Sequence, residues 1–429
     1  MTQLEIFRAT CNHQKHSSFL YHAGFTPELW RRLRVRYGTE DQAVITARMG
    51  LFEPVTVNPV APPHQPDFSI YFQDVEKPEG SFINGCGVLE IPARYYHFTG
   101  YISPLRQAQS LSEIENFPFP PETGYDETGL KEKVEQAHRE GKVACTAVGH
   151  IYETSWQIRG YEQFLMDLVE RPAWSECILD RIAASRMALA TAGARAGVDY
   201  LITGDDVANQ KSLMFSLPMW RRFIKSRWAK IYQAARSLKP DIQIWYHSDG
   251  NIEAIIPELI DIGVTILNPL QPECLDVPSL KARYGRHLVF DGTIGTQSTM
   301  PFGTPEEVAR VVRENKKVLG YDGALILAPT HVLLNIDENE QPLFEQLERF
   351  VPHVIVTHPI EVEDNFTLYA LLGGLFDRRT QAEALAAALR EELLACARAD
   401  WHWRRVLYLI WRNPWMTVGQ QTYIARMLA

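Results

Sequence analysis

Short apolar runs alternate with amphipathic helical stretches along this chain, and nearly every apolar run stops on polar residues. The clearest instance is residues 242–271, IQIWYHSDGNIEAIIPELIDIGVTILNPLQ. Ile242 to Tyr246, rich in β-branched and aromatic residues, reads as a buried strand. It halts at His247, Ser248, Asp249 and Gly250. Asn251 then suits a helix cap, with Ile252, Ile255, Ile256, Leu259 and Ile260 at helical spacing behind it. Gly263 ends the helix, and a second strand, Val264 to Leu267, stops at Asn268, Pro269 and Gln271.

The same plan recurs on both sides. Val143 to Val148 ends at Gly149, His150 and Glu153; Asp199 to Thr203 ends at Gly204, Asp205, Asp206, Asn209 and Gln210. Leu288 to Phe290 ends at Asp291, Gly292, Thr293 and Gln297, and Ala324 to Leu327 at Pro329, Thr330 and His331. Helical patterns such as Tyr161 to Val169, Met219 to Leu238 and Pro305 to Leu319 lie between them. A strand every roughly 30 to 50 residues, each followed by a helix, predicts a parallel sheet of the (β/α)8 TIM-like barrel class, with its site at the strands' C-terminal ends. A strand near Val55 and another before Asp199 are needed to reach eight. A doubly wound sheet is the competing topology, but no GxGxxG turn follows an early strand. Ahead of the repeat, Thr26 to Tyr37 reads as a helix, and Ser69 to Phe72 with Gly87 to Ile91 as strands of an inserted hairpin. Leu130 to Arg139 reads as the helix before the first full unit.

Composition narrows the class. At 429 residues and a net charge of −9, with no basic block, the chain is not expected to bind nucleic acid or an anionic membrane. No apolar stretch approaches the ~20 residues of a membrane span, and the first residues carry no signal pattern. Six scattered cysteines without a CxxC pair suit a reducing cytoplasm. A cytoplasmic enzyme is expected.

The polar strand ends carry the candidate chemistry. His247 and Asp249, two apart beyond one strand, both face the barrel mouth and suit zinc, with His331 from the last strand as third ligand. The alternative is a His–Asp hydrogen bond that orders the turn. Asp205 and Asp206 are adjacent carboxylates fit for acid/base or substrate-binding work, since close like charges raise one pKa; helix capping is the plainer role. His150 and Glu153 form a further catalytic candidate pair. Arg159 suits a substrate carboxylate or phosphate, although a solvated helix arginine is the commoner case. Gln210, Gln271, Asp291 and Gln297 suit substrate positioning.

Three passages, YHSDGNIEAIIPELIDIGVTILNPLQPECLDVPSLKARYG, LVFDGTIGTQSTMPFGTPEEV and GALILAPTH, resemble the uroporphyrinogen decarboxylase superfamily in order and spacing. The likeness runs from about Gly24 to His331. It implies a (β/α)8 barrel and one of two activities. One is cofactor-free decarboxylation of a tetrapyrrole in haem biosynthesis. The other is zinc-dependent transfer of a methyl group between a corrinoid protein, or methylcobalamin, and a thiol or folate-type acceptor. The second is closer, because nothing before Arg94 matches the decarboxylases' arginine-rich RQAGRY-like motif. In that branch a His-x-Cys pair and a later cysteine bind zinc. Here His247 stands at the histidine position, Asp249 in the first cysteine's place, and Thr330-His331 in the region of the second. The resemblance thus implies a harder, oxygen-preferring site, to which an O-demethylation-type pathway is as well suited as a thiol acceptor. Under the decarboxylase alternative, Asp205 or Asp206 would stabilise a protonated pyrrole, and Arg106 and Arg159 would hold its acidic groups. A corrinoid protein or a small-molecule tetrapyrrole is the implied partner.

Beyond residue 333 the pattern changes. Residues 334–429 resemble part of a periplasmic binding protein for cobalamin or iron-siderophore chelates, a smaller α/β fragment after a barrel of residues 1–333. Phe350 to Thr357 and Val406 to Trp411 read as strands and Gln381 to Ala399 as a helix. A gene fusion or a truncated reading frame is the expected origin. An appended module that binds a corrinoid or metal chelate is the non-catalytic alternative.

Overall fold

The strands that end on polar residues line up side by side. The computed structural model describes residues 1–63, 66–92, 99–333, 362, 364–375, 378–398, 409–412 and 415–417. Its main sheet comprises β1 (Val55–Thr56), β5 (Ala144–Gly149), β6 (Tyr200–Gly204), β7 (Gln243–His247), β8 (Ile266–Asn268), β9 (Val289–Asp291) and β10 (Leu325–Ile326). They run in that order and every pair is parallel. A separate antiparallel sheet is built from β2 (Phe82–Ile83), β3 (Leu89–Pro92) and β4 (Thr99–Ile102).

The segment 20–22 closes the barrel. His22 donates its backbone N–H to the Leu327 carbonyl (3.0 Å), Leu327 donates to that of Leu20 (2.9 Å), and Phe52 donates to that of Tyr21 (2.7 Å). The eighth staves' worth of backbone is therefore N-terminal, between β10 and β1. The expected strand before Asp199 is corrected: that stretch belongs to the helix Pro172–Ala196. Its buried Ile178, Leu179, Ile182 and Ala190 recur at helical spacing.

Two cores follow from the strands' alternation. Outward residues such as Ile244 and Tyr246 pack under the helices, among them Trp228 and Tyr232 of the helix Ser226–Leu238. Inward residues such as Cys145, Tyr200, Ile266 and Val289 line the lumen. The helix Gln3–Cys11, started by a Thr2/Glu5 capping box, sends Phe7 into the same interior against Tyr200 (5.3 Å) and Phe52 (6.2 Å).

Local chemistry explains the other departures. Residues 69–72 do not form a strand: Asp67 accepts the Ser69 N–H (2.9 Å) and starts a 3-10 turn, Phe68–Phe72. After β7, Asn251 accepts the Glu253 N–H (3.2 Å), but regular α-helix begins only at Ile256, with Pro257 in its first turn. The pattern from Met219 to Leu238 is broken by a π-helical turn, Arg221–Lys225.

The chain divides into two compact units, Met1–Glu338 and Asn339–Ala429. In the second, helices Asp364–Leu375 and Arg379–Arg398 form a hairpin. Arg390 lies 4.7 Å over the Phe366 ring, and Arg378 donates to the Gly373 carbonyl (2.8 Å). β11 (Leu409–Arg412) pairs antiparallel with β12 (Trp415–Thr417). The expected strand at 350–357 lies outside the described residues. No helix among the described residues is long and apolar enough to cross a membrane.

Candidate metal centre

Parallel register brings the ends of β6, β7 and β8 together, Gly204 beside His247 and His247 beside Asn268. The close approach of β6 to β7 requires glycine, because a Cβ on Gly204 would strike the His247 backbone. One residue past the strand, chain direction separates two carboxylates that look alike in sequence.

Asp205 turns inward to the protein and is fully buried. One of its oxygens accepts the backbone N–H groups of Ile151 (2.9 Å) and Tyr152 (2.7 Å), and the other accepts Trp228 Nε1–H (2.7 Å). It thereby caps the neighbouring helix, Tyr152–Arg159, which has no capping side chain of its own. Burial pushes its pKa up to about 7, against the opposing pull of the His150 imidazolium. Of the two roles expected for Asp205, this geometry is that of the helix cap, with the carboxylate buried away from the mouth.

Asp206 faces the other way. Its Oδ1 accepts the Asp249 N–H (2.8 Å) and stands 3.7 Å from His247 Nε2. Asp206, His247 and Asp249 each bring a ligand atom within 4.8 Å of the others. His331 Nε2 lies 4.0 Å from Asp249 on the more exposed side. Around this cluster the orientation is fixed. His247 Nδ1 bonds to the Asn268 amide oxygen (2.8 Å), which leaves the Nε2 lone pair toward the carboxylates. Gln271 accepts the Gly250 N–H (2.7 Å) and reaches Asp249 with its amide (3.4 Å), so it holds the turn that carries Asp249. Burial raises the Asp249 pKa, with Asp206 reinforcing and the imidazoles of His247 and His331 opposing.

Beside it lies a second polar group. His150 Nδ1 is shared between Glu153 (2.7 Å) and the Gly204 carbonyl (2.8 Å). Burial alone would lower the His150 pKa, but Glu153 and Asp205 outweigh it and carry it up to about 9. Glu153, although burial pulls it upward, is held below its ordinary range by His150. It also accepts the Asp206 N–H (3.2 Å), which ties the two groups together. Tyr101 of β4 packs edge-on against Trp156 (5.7 Å), and Trp156 against Tyr161 (5.4 Å), forming an aromatic wall.

The remaining candidates scatter. Gln210 and Gln297 are exposed and bonded to each other (2.7 Å). Arg159 is only 4% exposed; it donates to Asp167 (2.7 Å) and the Leu105 carbonyl (2.6 Å), a structural rather than substrate-facing placement. Arg106 donates to the Tyr71 carbonyl (2.8 Å) and to Asp74. Asp291 points into the barrel, where it accepts Trp245 Nε1–H (2.7 Å) and contacts His22 (2.9 Å). Trp245 and His22 were not singled out from the sequence. Trp245 shares a strand face with His247, two residues on, and alternation was the available signal.

The uroporphyrinogen decarboxylase (URO-D) family model matches residues 146–338, which span β5 to β10 and every member of the cluster. The chain carries a URO-D family domain. The chain shares the fold of a methyltransferase from Methanosarcina mazei, at 16% identity and a TM-score of 0.53, over 82% of this chain and 100% of that one. A psychrophilic glycoside hydrolase family 10 endo-beta-1,4-xylanase is more distant, at 11% identity and a TM-score of 0.31, over 51% of this chain and 76% of that one. No curated protein matches in sequence. The matched region thus includes the candidate cluster of Asp206, His247 and Asp249 at the C-terminal ends of its strands.

Proposed function

We propose that this chain is a methyltransferase of the URO-D superfamily, moving a methyl group between a corrinoid, free or protein-bound, and a thiol or folate-type acceptor. The observation that supports it most is the convergence of Asp206, His247 and Asp249, with ring orientation fixed by Asn268. These donors fit a divalent metal: two carboxylate oxygens and an imidazole nitrogen with its lone pair presented, and His331 at the edge as a further ligand. A zinc ion held there would supply Lewis-acid activation of the acceptor, harder in character than a thiolate site gives.

The chain's own side chains supply the rest. The cationic His150, anchored by Glu153, sets a positive charge at the mouth for an anionic group of the substrate. Trp156, with Tyr101 and Tyr161 beside it, offers a flat apolar face for a ring. Gln210 and Gln297 stand on the rim as polar contacts. As the acceptor takes the methyl group it loses one proton, and the corrinoid cobalt keeps the bonding electron pair.

Decarboxylation of an acidic tetrapyrrole has less support. It calls for arginines to hold several carboxylates, whereas Arg159 is paired with Asp167 and Arg106 with Asp74. A cytoplasmic setting accords with six cysteines that form no disulfide. Elemental analysis of the purified protein tests the centre. Near-stoichiometric zinc, lost in both His247→Ala and Asp249→Ala, is expected; a metal-free intact protein would end the metal reading.

A further inference from the structure

The lumen beneath His247 is not filled. β/α barrels ordinarily pack this space with layers of side chains, yet here a cavity of about 310 Å³ remains. An engineered apolar cavity of about 150 Å³ already accepts benzene, so the space suits a substituted ring. Phe52, Ile202 and Ile266 form apolar walls; Trp245, His22 and Asp291 form a polar one. Trp245 also lies in near-parallel stacking with His247 (5.8 Å, 17°), so the chamber shares a wall with the metal-ligand cluster.

The polar wall is organised around one donor. Asp291, 2% exposed, accepts Trp245 Nε1–H and binds His22 Nε2. His22 Nδ1 has no hydrogen-bond partner among the described residues. The His22 side chain, a third exposed, lines the cavity. The buried Asp291 carboxylate, 2.9 Å from Nε2, favours the imidazolium form against the opposing pull of burial, and in that form both ring nitrogens are donors. An unmet donor in an apolar room calls for an acceptor. A carboxylate would set a second negative charge near Asp291; a neutral acceptor would not.

We propose that this chamber binds a neutral monocyclic aromatic molecule bearing one oxygen acceptor, such as an aryl ketone or aryl ether, with the oxygen on His22 Nδ1. Asp291 and Trp245 are positioning residues: they fix the imidazole ring and touch the ligand only as walls. The inference stands apart from methyl transfer.

Calorimetric titration of the full chain tests it, with acetophenone and benzene as probes. Acetophenone is expected to bind one per chain and about tenfold more weakly to His22→Leu, the loss of one hydrogen bond. Benzene should bind both proteins within about twofold of each other, since apolar contact alone holds it. His22→Gln, which keeps an amide donor, should retain most of the acetophenone affinity. Ile202→Trp, which fills the chamber, should abolish binding of both probes. Absence of saturable acetophenone binding would overturn the proposal. So would binding that survives Ile202→Trp, or equal weakening of both probes by His22→Leu. If His22→Leu does not fold, the Gln and Trp variants decide alone.

Discussion

Replacing Asp205 separates architecture from chemistry at this site. Asp205→Ala orphans three buried donors: the Ile151 and Tyr152 N–H groups and Trp228 Nε1–H. Each unsatisfied buried donor costs about 1–3 kcal/mol, so the gross loss is about 3–9 kcal/mol. Removing the carboxyl also relieves a group whose pKa burial has pushed up to about 7. At neutral pH that relief returns up to about 4 kcal/mol, at ~1.4 kcal/mol per pK unit. The net expectation is a loss of about 2 kcal/mol, which lowers the melting temperature of a unit this size by about 3 °C. Asp205→Asn keeps one acceptor oxygen for Ile151 and Tyr152 but turns an NH2 toward Trp228, and should cost about 1 kcal/mol. In combination with Trp228→Phe its cost should fall below the sum of the single costs by about 1 kcal/mol, because the two groups share one bond. Differential scanning calorimetry with parallel activity measurements reads both quantities. An Asp205→Asn variant of unchanged stability and abolished turnover would refute the capping role and return Asp205 to catalysis.

Two further outcomes follow from the same geometry. The His150 pKa rises from 6.5 to about 9 on folding, so its pairing stabilises fully below pH 6.5 and is lost as pH climbs through about 9. Because His150 is 40% exposed, screening reduces the worth of this pairing to about 1–2 kcal/mol; His150→Gln should show that deficit at pH 6 and almost none at pH 10 in urea titrations. Gly204→Ala should cost about 2–4 kcal/mol, since the new Cβ meets the His247 backbone. It should also displace His247 and reduce bound zinc, whereas unchanged metal content would show that β7 yields without moving the ring.

How much of this was legible in the sequence depended on how each residue is buried. The strand ends stood out because no residue of β5 to β10 is exposed, so a polar residue there marks the end of the sheet. His247 and Asp249 were readable for that reason. The eighth stave was not. Leu20 to His22 is too short to show alternation and makes only isolated bridges to its neighbour, so its role depends on ring closure, which is tertiary. Asp205 and Asp206 look equivalent in sequence, but one side chain points under the helices and the other into the mouth. Arg159 misled in the same way: a helix arginine reads as solvated until Asp167 and Trp174 are found around it. Trp245 and His22 were hidden because a lumen-facing aromatic and an N-terminal histidine acquire meaning only once Asp291 stands between them.

The central claim is methyl transfer, and it is tested most directly with the intact, zinc-loaded chain and methylcobalamin. The absorbance of methylcobalamin is followed as a thiol or a folate-type acceptor is added, and the methylated acceptor is identified by mass spectrometry. Demethylation with one equivalent of methylated product, lost in His247→Ala and Asp249→Ala, is the expected result. An inert mixture, together with carbon dioxide release from an acidic tetrapyrrole that both variants retain, would contradict it.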